Sequence, residues 1–111
     1  MKLALATLAT ALTLSSPATF AGDAGTTAIE RLGKVNGIAL ACQQTAISSR
    51  ARNALVTGAP KTRDNGEIFE KATNAAYLEQ GKGATCPDAA TLSNLLNAAE
   101  KGLQSAFQGA R

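Results

Sequence analysis

Residues 27–60 read TAIERLGKVNGIALACQQTAISSRARNALVTGAP, and how this stretch folds decides the architecture. Ala28, Leu32, Val35, Ala39, Cys42 and Ala46 recur at alternating steps of four and three, which is one face of an α-helix. Ile47, Ala51, Ala54 and Leu55 continue the stripe with a slight rotation. Thr27 with Glu30 has the form of a capping box, and Gly58 followed by Pro60 has the form of a C-cap and a stop. The pattern predicts one long helix over about residues 27–57, roughly 45 Å at 1.5 Å per residue. Its weak point is Asn36-Gly37, a turn signal that would split it into two helices. Gly33, Gly37 and Ala41 are also spaced by four. They form a flat strip of small residues, suited to close packing of another helix or, alternatively, to an exposed interaction groove.

Two more helices follow. Asp64 with Glu67 reads as a capping box, and Ile68, Phe69, Ala72, Ala75 and Ala76 form an apolar stripe. Glu67 and Lys71 have the spacing of a pair on the wet face, and Gly81 and Gly83 end a helix over about residues 65–80. Thr85-Cys86-Pro87-Asp88 starts the last helix, with Pro87 near the first helical position and Asp88 in the first turn. Leu92, Leu95, Leu96, Ala99, Leu103, Ala106 and Phe107 recur at helical spacing, opposite Asn94, Asn97, Glu100, Lys101 and Gln104. Gly109 begins the tail, and no strand-like alternation of useful length occurs. The expected fold is all-α: a small antiparallel bundle of three helices, or four if Asn36-Gly37 is a break. Leu32, Val35, Phe69, Leu92, Leu95, Leu96, Leu103 and Phe107 should anchor one core.

Ahead of this domain, residues 1–21 have the form of a secretory signal peptide. Met1-Lys2 carries one positive charge, Leu3 to Leu14 contains only Leu, Ala and Thr, and Ala18-Thr19-Phe20-Ala21 offers a cleavage site. The apolar run is about a dozen residues, well short of the roughly 20 that a membrane span needs. Cleavage after Ala21 leaves residues 22–111 as a single domain, with no membrane span, near the lower size limit for a self-sufficient core. The expected location is the periplasm or the outside of the cell.

That compartment gives the two cysteines their meaning. Cys42 and Cys86 are the only pair in the chain, and an exported protein favours a disulfide between them. The bond would join the middle of the long helix to the start of the last one. It would close a loop of about 45 residues, worth about 4 kcal/mol in the chain-entropy model. A redox-active pair is the weaker alternative, because catalytic thiols usually sit two residues apart at a helix N-terminus.

Absences narrow the chemistry. The chain has no His, and its one Met leaves with the leader. The usual axial haem ligands and the imidazole and thioether ligands of copper are therefore missing, a nucleophile–His pair is impossible, and two cysteines alone do not make a zinc site. No catalytic residue, metal site or cofactor is expected, and the chain reads as a non-enzyme. The formal net charge of +3, less one for Lys2, is too mild to argue for nucleic acid. Arg50, Arg52, Lys61 and Arg63 form a cluster without acids around the end of the first helix. They read either as solvated charges that complement a helix dipole or as a basic patch for a protein partner. Acids follow at Asp64, Glu67, Glu70 and Glu79, a separation of sign that would permit head-to-tail self-association. The expected function is an accessory, inhibitor or adaptor module that binds a protein through the loop at 58–66 or through a helix face. The alternative is a periplasmic stress or chaperone-like protein that exposes apolar helix faces under acid or other stress.

Overall fold

The computed structural model describes residues 20–108 and is all-helical over them. Four helices occur in the order α1 (Phe20–Ala41), α2 (Thr45–Gly58), α3 (Arg63–Gln80) and α4 (Ala89–Phe107). Most of the leader lies outside the described residues, as does the tail from Gly109.

The long stretch is two helices, and the break falls at Cys42-Gln43-Gln44 instead of Asn36-Gly37. Gln43 adopts φ 61°, the left-handed region. The Gln44 N–H donates to the Ala39 carbonyl at 2.8 Å, and the Gln43 N–H donates to Leu40 at 3.2 Å. That pair of bonds is a Schellman motif, with Gln in the place that glycine usually takes. Thr27 is no cap either, because α1 begins at Phe20 and Thr27 lies inside it.

The other helix starts are set by single side chains. The Thr62 hydroxyl accepts from the Asn65 N–H at 3.1 Å, so α3 begins at Arg63 and the expected Asp64–Glu67 box does not form. Glu67 pairs with Arg63 at 3.2 Å and not with Lys71. Asp88 is the N-cap of α4, one step outside the first turn, and its carboxylate accepts from the Thr91 N–H at 2.8 Å. Hydrogen bonds from the Thr91 backbone and then its side chain hold the Asp88 carboxyl below its ordinary value of 3.8. A depressed carboxyl stabilises the fold above its unfolded pKa, and the contribution is lost as pH falls through the folded value. Asp88→Ala should therefore lower the melting temperature at neutral pH. The gap to the parent protein should narrow below pH 3.8, as thermal melts across that range would show.

Successive helices alternate in direction. Gly33 lies against Phe69 and Ala72, and Gly37 against Thr73, Ala76 and Tyr77, so α1 and α3 run parallel. Gly25 lies against Phe107 while Val35 and Ile38 share a groove with Leu95, so α4 runs opposite to α1. Arg50 reaches Asn97, and Gly58 lies against Leu103, which sets α2 parallel to α4. Helix α1 is central and touches the other three. Helices α1, α2 and α4 pack in a triangle, whereas α3 packs on α1 alone among the helices.

The core lies along α1. Ile29, Leu32, Leu92, Leu96 and Leu103 are its largest fully buried apolar side chains. Val35, Phe69 and Phe107 are buried as expected, but Leu95 is 44% exposed because no helix covers that flank of α4. Asn36, read as a turn residue, is buried at the junction of three helices. Its amide donates to the Thr73 hydroxyl at 3.1 Å and accepts from the Ser48 hydroxyl at 2.7 Å. Thr73 in turn donates to the Gly33 carbonyl at 3.2 Å. No buried side-chain polar atom lacks a partner among the described residues. A satisfied network of this kind fixes how α1, α2 and α3 meet, because any slip would leave a polar group unpaired in a low-dielectric core.

Candidate functional site

The four cations of the loop region do not form one surface patch of free charge. Arg50 projects from α2 onto α4, where one nitrogen lies 2.9 Å from Glu100 and 3.0 Å from Asn97. Arg63 pairs within α3 with Glu67. Arg52 and Lys61 are exposed and form no salt bridge among the described residues. Both Arg pairs are solvent-exposed, so each holds a side chain in place for at most about 1 kcal/mol. The segment is dense in basic residues, but two of its four charges are already answered within the fold.

The predicted cysteine pair is a disulfide. The Cys42 and Cys86 sulfurs are 2.01 Å apart, with 5.8 Å between Cα atoms. It joins the α1–α2 turn to the α3–α4 loop, not the middle of a helix to the start of another. Cys86 is exposed and Cys42 is half-buried. The Gln80 amide donates to the Ala84 and Thr85 carbonyls at 3.0 and 3.1 Å, which shapes the loop that presents Cys86.

A grooved surface arises from helix placement. Helices α3 and α4 flank α1 without touching each other, leaving two grooves beside an exposed ridge of α1. The groove toward α3 has a volume of about 590 Å³. Its apolar floor comes from Ile68, Ala72, Ala75 and Ala76, and its edges carry Glu30, Lys34, Lys71 and Glu79. The groove toward α4 is smaller, about 330 Å³, and is lined by Val35, Ile38, Leu95 and Ala98, with Arg31 and Lys34 at its edge. Lys34 borders both. The glycine strip that the sequence offered as packing surface or groove proves to be packing surface. Gly33 and Gly37 are buried beneath α3, and the groove runs beside them, lined by Lys34, Ala72 and Ala76 and not by the glycines.

An apolar floor between charged edges of both signs is suited to holding an amphipathic segment by its apolar face. Among the described residues there is no group of three or more Cys, Asp or Glu that would hold a metal ion. No described helix is long and apolar enough to cross a membrane. Fold and surface together define a disulfide-linked four-helix domain with a grooved face. Compared with protein-family models, curated proteins and solved structures, the chain matches none.

Proposed function

We propose that this is an exported, non-enzymatic helical module that binds another protein, and that the grooved face of α1 is its docking surface. The partner presents an amphipathic α-helix with apolar residues toward the groove and charges of both signs at its margins. One observation carries this reading: α3 and α4 stand on either side of α1 with no contact between them, so apolar side chains line open grooves. The leader at residues 1–21 and the Cys42–Cys86 bond support export to an oxidising compartment. The basic residues are the weaker candidate, since Arg50 and Arg63 are engaged within the fold.

Site-specific photocrosslinking in the cells that make the protein tests the reading. A photoreactive residue at Ala98, lining the α4 groove, or at Ala75, lining the α3 groove, should give a discrete adduct. The same probe at Ser49, exposed on α2 near Arg52, should not. An adduct from Ser49 with none from the groove positions would move the site to the basic face. The absence of adducts at all three positions would remove the docking proposal.

A further inference from the structure

The groove beside α3 has a pattern that a two-fold axis satisfies, and we infer that a second copy of this chain occupies it, α3 against α3 in antiparallel orientation. The inference rests on the reading of the grooved face as a docking surface and names its occupant on the α3 side. The outward face of α3 is Ile68, Lys71, Ala72, Ala75, Leu78 and Glu79, at the three–four spacing of a helix-pairing seam. Leu78 is 65% exposed, the highest value among the large apolar side chains that project into solvent. Ala75 is also exposed, and Ile68 and Ala72 are half-buried.

Antiparallel pairing about Ala75 brings each residue opposite the one equally far on the other side. Lys71 and Glu79 stand four residues either side of Ala75, so each Lys71 meets the Glu79 of the second copy, twice per dimer. Ala72 and Leu78 stand three either side, so each exposed leucine meets a small residue that has room for it. Ala75 meets itself on the axis and lets the backbones approach. Helix α1 adds to the match. Gly33 lies beside Ala72, so Lys34, the next residue, stands level with that position on the groove side, facing the incoming Glu79. An isologous contact requires one patch to be complementary to itself, and a seam with Lys and Glu equidistant from a small central residue meets that requirement. A parallel in-register arrangement would instead set Lys71 against Lys71 and Glu79 against Glu79.

Sedimentation of the oxidised protein over a concentration series tests this directly. The parent chain should show a reversible monomer–dimer equilibrium that weakens with salt. Lys71→Glu places like charges opposite each other twice and should raise the dimer dissociation constant about tenfold. Lys71→Glu with Glu79→Lys exchanges the partners and should recover part of the loss, the remainder being the contact of Glu79 with Lys34 that the exchange removes. A monomer at every concentration overturns the inference, as does a Lys71→Glu dimer of parent affinity or a double variant that stays as weak as the single one. Lys71 and Glu79 are exposed, and Glu79 gives up only a solvent-exposed pair with Lys82, so at concentrations where the parent is monomeric these variants should keep its circular dichroism and melting temperature, which separates lost pairing from lost folding. In the crosslinking experiment, a dimer shows as an adduct of twice the chain mass from Ala75. A different adduct mass from Ala98 reports the other partner, so each proposal can fail while the other stands.

Discussion

Gly37→Ala is expected to destabilise the protein by about 3 kcal/mol, whereas Gly102→Ala is expected to stabilise it by about 1 kcal/mol. Both glycines lie inside helices, where alanine is the better helix former by about 1 kcal/mol, so propensity alone predicts the same gain at both. Packing separates them. A Cβ at Gly102 would meet nothing within 4 Å. At Gly37 it would collide with the Thr73 carbonyl oxygen and lie 2.8 Å from the Ala76 Cβ and 2.9 Å from the Tyr77 nitrogen. Two of those three are backbone atoms of α3, which cannot rotate away as a side-chain tip does. Relief requires α3 to move off α1, the one helix among the described residues whose backbone α3 closely approaches. The same movement would break the bonds of Asn36 to Thr73 and of Thr73 to the Gly33 carbonyl. At about 4–8 °C per kcal/mol for a domain of this size, thermal melts should show a fall of more than about 12 °C for Gly37→Ala and a small rise for Gly102→Ala. A neutral or stabilising Gly37→Ala would mean that the two helices do not approach this closely.

These glycines show what was legible in the sequence. Four-residue spacing of small residues announced a close helix contact, and the contact is there, although the sequence did not say with which helix. The apolar stripe of α4 was legible for a related reason. Periodicity records burial on one face, and Leu92, Leu96, Leu103 and Phe107 are buried. Leu95 was misread because a stripe does not reveal its own width, and the flank it occupies has no neighbouring helix. The break between α1 and α2 was misplaced because its cap consists of backbone bonds around Gln43, and glutamine carries no turn signal. Asn36-Gly37 carried the signal without the turn. The asparagine is there to satisfy Ser48 and Thr73, and the glycine to admit α3. Such roles belong to residues distant in sequence and are invisible to local pattern. The candidate site suffered most from this. Arg50, Arg52, Lys61 and Arg63 cluster in sequence, but Arg50 turns to Glu100 on another helix and Arg63 to Glu67 on its own. The grooved face depends on α3 and α4 not touching, a property that no single segment encodes.

Breaking the disulfide, by Cys42→Ala with Cys86→Ala, is expected to cost about 4 kcal/mol and to release α3 before the rest of the fold. The bond spans a sequence separation of 44, and freeing a loop of that length returns conformational entropy to the unfolded chain worth about 4 kcal/mol. Small domains are stable by only about 5–15 kcal/mol in total, so the double variant should lose a large fraction of its stability in urea titration. The loss is also expected to be uneven. Helices α2 and α3 both lie within the closed loop, but α2 packs on α1 and α4 while α3 has α1 alone. Without the bond, the loop that follows α3 is no longer tied to the end of α1, and the single α1–α3 interface must hold the helix unaided. Hydrogen exchange should therefore show α3 amides losing protection well below the global unfolding energy, while α1 and α4 exchange only on full unfolding. Reduction of the parent protein should give the same pattern, since exposed Cys86 is open to thiol reagents. A cost below about 1 kcal/mol would mean that the bond is incidental to stability and would favour a redox role for the pair. Uniform loss of protection would mean that α3 is held by the core as firmly as its neighbours, and the grooved face would then be a rigid surface with or without the disulfide.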